Sequence, residues 1–137
     1  SLARQQRLDG VQCLGFRTQQ ELPDIYCAAD VFVLPSLVEP WGVVVNEAMA
    51  CGLPVIVSDQ VGASADLVIG GSNGFIVPAG AVEPLADRML EVLSDESRRL
   101  AMGRHSVEIV SKWNYSSSVD GFLSAVDKAA SRKGSRP

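Results

Sequence analysis

Apolar residues in this 137-residue chain fall into four short runs and a series of helical repeats. The runs lack the alternation of polar and apolar residues, which is typical of strands buried on both faces of a parallel sheet. They occupy residues 11–16, 31–34, 55–57 and 75–77. Turn formers bound them, since Asp9 and Gly10 precede the first run, and Pro35 and Pro78 close the second and the fourth. We therefore predict strands at these positions.

Between and after these runs, apolar residues recur at the three- and four-residue spacing of amphipathic helices. The predicted helices span residues 18–29, 43–51, 62–68, 82–93, 97–112 and 117–128. Thr18 with Glu21, and Ser117 with Asp120, have the spacing of a capping box at a helix start. Alternation of strands and helices predicts an α/β fold, a doubly wound Rossmann-like parallel sheet of about four strands.

Composition is that of a globular domain, with 47% hydrophobic and 20% charged residues. The net charge of −4, without a basic stripe, argues against nucleic-acid binding. We expect one partial domain at residues 1–128 and a disordered basic tail at residues 129–137. Because the first eight residues resemble the end of an amphipathic helix, we expect the chain to be a fragment.

Cysteine usage and the absence of long apolar stretches indicate a cytoplasmic protein. Cys13, Cys27 and Cys51 are widely spaced in apolar surroundings, so we predict small buried residues in a reducing compartment. No C-x-x-C pair or histidine cluster predicts a metal site. Neither a signal peptide nor a membrane-spanning run is visible.

The loop at residues 35–42 is the strongest candidate for chemistry. Ligands of doubly wound sheets bind beyond the carboxyl ends of the strands, beside helix starts. Gly42, at the start of the predicted helix 43–51, lets a ligand approach the backbone. The N–H groups of residues 42–45 and the positive end of the helix dipole form a candidate anion site. This signal is weak alone, because most α/β proteins contain several such helix starts.

Two carboxylates make the candidate more specific. Glu39 lies before the helix and Glu47 lies inside it, in an otherwise apolar segment. Ionised carboxylates repel a phosphate, but they can accept hydrogen bonds from hydroxyls on either side of a diphosphate, as in a sugar nucleotide. Spacing alone leaves a second interpretation open, in which Glu39 is a solvated loop residue and Glu47 is exposed or salt-bridged.

The segment from Glu39 to Glu47, EPWGVVVNE, resembles the E-x7-E motif of the retaining GT-B glycosyltransferases of group 1 (family 4). Further similar segments are residues 14–16 (LGF), 21–23 (ELP), 26–36 (YCAADVFVLPS), 47–55 (EAMACGLPV) and 73–78 (NGFIVP). The likeness covers about residues 11–128. It implies the C-terminal, donor-binding half of a GT-B fold and, for the full-length protein, a hexosyl-type glycosyltransferase.

The resemblance also implies a role for each part of the site. Glu39 would accept hydrogen bonds from hydroxyls of the donor sugar, and Glu47 from those of the ribose. Backbone groups would meet the sugar and the distal phosphate at Pro40, Trp41, Gly42 and Val43. The nucleobase would lie beside Gly15, Phe16 and Arg17.

No metal and no cofactor is implied beyond the nucleotide-sugar donor, since this family relies on the helix dipole and basic side chains. Fixed donors aimed at the departing diphosphate would lower the barrier. We assign Glu39 to positioning rather than to nucleophilic attack.

Several parts of the family pattern are missing. Two further strand–helix units, with an Arg and a Lys that neutralise the diphosphate, normally come first, and so does an N-terminal acceptor domain. We therefore expect this piece to be inactive alone, to bind donor weakly, and to pair as a homodimer or strand swap through its open sheet edge. The full-length protein is expected in the cytoplasm, with the inner membrane surface as an option.

Two smaller departures concern the site. Residues 61–66 (VGASAD) replace paired glycines followed by a glutamate, so an equivalent contact from Asp66 is doubtful. Pro40 and Trp41 stand where Gly-Phe is common, which stiffens the loop. The Trp41 indole would either tune donor choice or pack beneath the loop.

Other conspicuous side chains are expected to be structural. His105 lies on a charged helix and is expected to face solvent, as are Arg98, Arg99 and Arg104. Trp113 and Tyr115 are expected to pack the final helix. Two alternatives to a transferase stay open, a GT-B-fold sugar-nucleotide epimerase and a non-catalytic module that binds sugar nucleotides.

Overall fold

The computed structural model describes residues 10–113 and 123–124. Within that part of the chain, three strands form one parallel sheet in the order β1-β2-β3, and five helices surround it. The elements in chain order are α1 Leu22–Cys27, β1 Phe32–Leu34, α2 Val43–Ala50, β2 Val55–Ser58, α3 Ser64–Leu67, β3 Gly74–Val77, α4 Val82–Ser94 and α5 Glu96–Val110.

Helices cover both faces of the sheet, which confirms the doubly wound α/β prediction. Successive residues of a strand point to opposite faces. In β2, Val55 and Val57 pack with Met49 of α2, whereas Ile56 packs with Val92 of α4 and Met102 of α5. All four residues of β2 are buried. This explains why the apolar run showed no alternation.

The predicted first strand is wrong. Residues 11–16 lie outside any strand, and the side chains of Val11 and Phe16 are 56% and 93% exposed. A strand needs a partner for its backbone groups. In the described part of the chain the sheet order is β1-β2-β3, and β1 pairs with β2 alone. The apolar run at residues 11–16 therefore has no strand beside it in the described sheet.

The first predicted helix starts four residues later than the pattern suggested. The Glu21 carboxylate accepts hydrogen bonds from the Thr18 N–H at 2.9 Å and the Thr18 hydroxyl at 2.8 Å. These bonds lower the pKa of Glu21 and hold a turn, after which α1 begins at Leu22 with a proline in its first turn. The capping contact thus forms, but it closes a turn rather than a longer helix.

The other predicted helices from residue 43 to residue 112 are confirmed within about two residues at each end. The predicted helix at residues 117–128 lies outside the described residues except for Leu123 and Ser124, which are helical. The tail at residues 129–137 and the boundary before it also lie outside them. No helix of the described part is long and apolar enough to cross a membrane.

The prediction of three buried cysteines is wrong. Cys13 and Cys27 are exposed, and Cys51 is half-buried. Cys13 belongs to the unpaired segment 11–16, and Cys27 ends the short helix α1. Only Cys51 packs against the buried cluster beside α2, where burial and the neighbouring Cys27 thiol raise its pKa.

Candidate functional site

The loop between β1 and α2 is held by backbone hydrogen bonds to the segment that follows β2. The Glu39 N–H donates to the Gln60 carbonyl at 3.1 Å, and the Gly62 N–H donates to the Glu39 carbonyl at 2.9 Å. Glu39 and Val61 consequently pair as an isolated parallel bridge. The loop therefore prolongs the β1–β2 pairing past the carboxyl ends of the strands, which places Glu39 where ligands of such sheets bind.

Gly42 leads α2 in a left-handed conformation, with φ 92° and ψ 59°. A Cβ at this position would lie 3.0 Å from Val61 Cγ1 and 3.4 Å from Leu34 Cδ2. Glycine is thus required here both by the backbone conformation and by the lack of space. Next to it, Val43 is 62% exposed, so the start of α2 faces solvent.

Glu39 is half-buried and directed back at this helix start. Its Oε1 accepts a hydrogen bond from the Trp41 N–H at 3.4 Å. A carboxylate has about four lone-pair sites, so this one long contact leaves acceptor capacity for a ligand.

The Trp41 side chain packs beneath the loop, which favours the packing alternative. Its Nε1 donates to Asn46 Oδ1 at 3.2 Å, and its ring lies 5.6 Å from that of Trp113. Trp113 therefore contacts the site loop. Its predicted partner, the final helix, lies outside the described residues.

Glu47 is half-buried, and no salt bridge to it is found among the described residues. Its Oε2 accepts a hydrogen bond of 3.2 Å from the hydroxyl of Tyr26, which is buried between α1 and α2. Glu47 and Tyr26 line a cavity of about 310 Å³. The remaining lining residues are Gln19, Leu22, Pro23, Ala50 and Cys51.

Tyr26 is the member of this site that sequence reasoning missed. The available signal was a buried tyrosine on the same helix face as Leu22, because a buried phenol needs a hydrogen-bond partner. The sequence around Tyr26 did not indicate that its partner is Glu47, which lies 21 positions away.

The segment predicted beside the nucleobase lies before α1. Gly15 has φ 71°, Phe16 is almost fully exposed, and the Arg17 guanidinium pairs with Glu21 at 3.3 Å. Arg17 lines a separate cavity of about 250 Å³ with Leu14, Glu21, Asp24 and Ile25. The α1 side of the Glu47 cavity is instead formed by Gln19, Leu22, Pro23 and Tyr26.

The side chains expected to face solvent on α5 differ from one another. His105 is exposed, with Nδ1 3.2 Å from the Ser72 hydroxyl oxygen. Arg98 pairs with Glu91 at 2.7 Å. The prediction is wrong for Arg99, whose side chain is 17% exposed and pairs at 3.0 Å with Asp30 just before β1.

Tyr26 is expected to ionise at unusually high pH. Burial, and then the hydrogen bond to the Glu47 carboxylate, raise the pKa of Tyr26 from 10.0 to about 12. Between these pH values the folded protein keeps a proton that the unfolded chain releases. The stabilisation is therefore complete below pH 10 and is lost as the pH rises towards 12.

Absorbance titration at 295 nm of the wild type against Tyr26→Phe isolates this phenol. The step removed by the substitution should lie near pH 12, and Glu47→Gln should move it lower because the neighbouring charge is gone. A Tyr26 step near pH 10 whose midpoint is the same in Glu47→Gln would contradict the expectation.

The fold and this geometry define a class: doubly wound α/β domains with a glycine-led helix start and flanking carboxylates beyond the carboxyl edge of the sheet. Within that class, residues 1–108 match the family described as glycosyl transferases group 1. The chain belongs to this family.

Proteins similar in sequence or in structure support this family assignment. The D-inositol 3-phosphate glycosyltransferase of Mycolicibacterium smegmatis is 33% identical over 123 residues, which are 90% of this chain and 28% of the relative. Sucrose-phosphate synthase from Thermosynechococcus elongatus superposes with a TM-score of 0.81 at 34% identity, over 94% of this chain and 33% of that one. Alr3699/HepE from Anabaena, in complex with UDP-glucose, superposes with a TM-score of 0.72 at 31% identity, over 80% of this chain and 30% of that one.

The chain thus spans 28–33% of the length of these proteins. The two solved structures confirm the Rossmann-like C-terminal half of a GT-B fold. The comparisons do not favour the epimerase alternative.

Proposed function

We propose that this chain is the donor-binding part of a retaining glycosyltransferase, and that it binds a nucleotide sugar at the start of α2. One observation carries the proposal: the helix start led by Gly42, with the exposed Val43 next to it, lies between two carboxylates, Glu39 and Glu47, that both have acceptor capacity to spare. The similarity to Alr3699/HepE, solved with UDP-glucose, supports the same ligand class.

The diphosphate would lie at the helix start, against the backbone from Pro40 to Val43. The first N–H groups of a helix lack an i−4 partner, and the helix dipole favours an anion there. The Val45 N–H already donates to the Gly42 carbonyl at 2.8 Å, so the anion would meet the backbone ahead of Val45. As the glycosidic bond breaks, negative charge accumulates on the departing diphosphate, and these fixed donors stabilise it. This arrangement requires neither a metal ion nor another cofactor.

The two carboxylates would bind the hydroxyls on either side. Glu39 positions the donor sugar. Glu47 accepts hydrogen bonds from the ribose hydroxyls with the carboxylate oxygen that Tyr26 does not contact. The 310 Å³ cavity beside Glu47 lies at the lower end of the volumes found for small-molecule sites. The base would extend towards Gly15, Phe16 and Arg17, where the exposed Phe16 ring offers a stacking surface.

The remaining parts of the enzyme complete the proposal. An N-terminal domain would bind the acceptor, and cationic side chains outside this chain would neutralise the diphosphate. In their absence the chain alone would bind donor weakly and transfer no sugar. Its open β1 edge would favour a homodimer or strand swap, and the full-length protein would act in the cytoplasm.

Titration with UDP-glucose, GDP-mannose and ADP-glucose tests the site. Trp41 and Trp113 are the only tryptophans of the chain, and their rings contact each other at the site loop, so their fluorescence should report binding. Glu39→Ala and Glu47→Ala should each lower the affinity for the donor at least about tenfold, since each substitution removes a charged hydrogen-bond acceptor.

Glu108→Ala, which removes an exposed glutamate of α5, is the matched control and should bind as the wild type does. Binding that survives both site substitutions would refute the assigned site. If none of the three donors binds, the proposed function fails.

A further inference from the structure

We propose that residues 60–63, between β2 and α3, form the positioning segment of the donor site, and that Gly62 is its indispensable residue. This inference rests on the proposed function, because it concerns how the sugar-binding loop acquires its shape.

Backbone hydrogen bonds join residues 60–63 to two alternate residues of the loop, Glu39 and Trp41. Gln60 and Gly62 both bind the backbone of Glu39, and the Ala63 N–H donates to the Trp41 carbonyl at 2.9 Å. Glu39 and Trp41 are thereby fixed on either side of Pro40. The carboxylate that would contact the sugar and the backbone that would meet the phosphate are consequently both held by residues 60–63, which act as the template of this loop.

Gly62 sets the distance between the template and the loop. A Cβ at Gly62 would lie 2.0 Å from the Pro40 carbonyl oxygen and 3.2 Å from Trp41 Cα. Gly62 does not have a positive φ, so its backbone suits alanine and only the loop forbids a side chain. Alanine would therefore push the loop away rather than strain its own backbone.

The far end of the template is anchored to the sheet. The Asp59 N–H donates to the Val77 carbonyl at 2.9 Å, and the Asp59 carboxylate accepts from the Ala79 N–H at 3.0 Å. Val61 is buried, and its Cγ1 would lie 3.0 Å from a Cβ at Gly42. Because the segment is tied to β3 and packed against Gly42, a change at Gly62 displaces the loop rather than the template.

Gly62→Ala is compared with Gly70→Ala, which adds the same methyl group where no atom lies within 4 Å. The probes are whichever of UDP-glucose, GDP-mannose and ADP-glucose binds the wild type, and the corresponding nucleoside diphosphate. Gly62→Ala should weaken binding of the sugar nucleotide at least tenfold and binding of the nucleoside diphosphate by a clearly smaller factor, because both ligands lose contacts to the displaced loop backbone and only the sugar nucleotide also loses the Glu39 contact. A purely structural defect would weaken both alike.

Amide spectra (¹H–¹⁵N) report the loop independently of any ligand. Gly62→Ala should shift the signals of Glu39, Trp41 and Gly42 while the rest of the sheet keeps its dispersion. Gly70→Ala should leave those three signals in place. Should Gly62→Ala fail to fold, Val61→Ala provides the second variant, since it loosens the packing against Gly42 without a clash and should also lower the preference for the sugar nucleotide.

Wild-type affinity for the sugar nucleotide together with unshifted loop signals in Gly62→Ala would overturn the inference and leave the proposed function intact. If the wild type binds no donor, the proposed function fails, and the loop signals alone decide whether residues 60–63 shape this loop.

Discussion

Replacing Asn73 by alanine is expected to lower the free energy of unfolding by about 2–4 kcal/mol. Asn73 is fully buried just before β3. Its Nδ2 donates to the Leu67 carbonyl at 2.9 Å, and its Oδ1 accepts from the Ile69 N–H at 2.7 Å. Alanine would leave both backbone groups without these partners, and removing a buried partner costs more than the bond itself contributes.

Urea unfolding followed by far-ultraviolet circular dichroism measures this effect. The midpoint should fall with an unchanged slope, since the surface exposed on unfolding stays nearly the same. Gln60→Ala removes an exposed amide side chain and should stay within about 0.5 kcal/mol of the wild type. Equal midpoints for the two variants would show that Asn73 has no such structural role.

The three strands were predictable because each falls in a continuous apolar run, and the central strand β2 is buried on both faces. In β2 every residue packs into one of two apolar clusters, so the continuous apolar run is a direct consequence of the fold. Residues 11–16 have the same apolar character but no strand to pair with. Composition reports the tendency of a segment to be buried, whereas pairing depends on distant parts of the chain.

Local hydrogen bonds were predictable more readily than element lengths. The Thr18–Glu21 contact forms as the capping-box pattern indicated, yet α1 begins only at Leu22. A capped turn and a capped helix have the same first four residues, so the pattern could not distinguish them.

The candidate site divides in the same way. Glu39, Gly42 and Glu47 are close in sequence, and their spacing around a helix start was enough to single them out. Tyr26 and Gly62 could not be found in this way, because each contacts the site from about 20 positions away, across the packed helices or the sheet edge. Asn73 falls in a segment that resembles the family, but its two backbone hydrogen bonds could not be read from that resemblance.

Replacing Gly103 by alanine is expected to destabilise the protein by about 2 kcal/mol, although the same change stabilises an ordinary helix interior by up to about 1 kcal/mol. Gly103 lies in α5, where a Cβ would be 2.1 Å from the Gly52 carbonyl oxygen and 3.1 Å from its carbonyl carbon. Gly52 follows the end of α2 with φ 79°, so a rigid backbone faces the added methyl group.

The clash must separate α5 from α2, and overpacking of this kind costs about 1–3 kcal/mol or more. Thermal unfolding should therefore shift down by about 5–10 °C. Gly70→Ala adds a methyl group in open space and should leave the midpoint nearly unchanged. The sign alone is decisive: if helix propensity dominated, Gly103→Ala would unfold at a higher temperature than the wild type, and the close contact of α5 with the end of α2 would then be refuted.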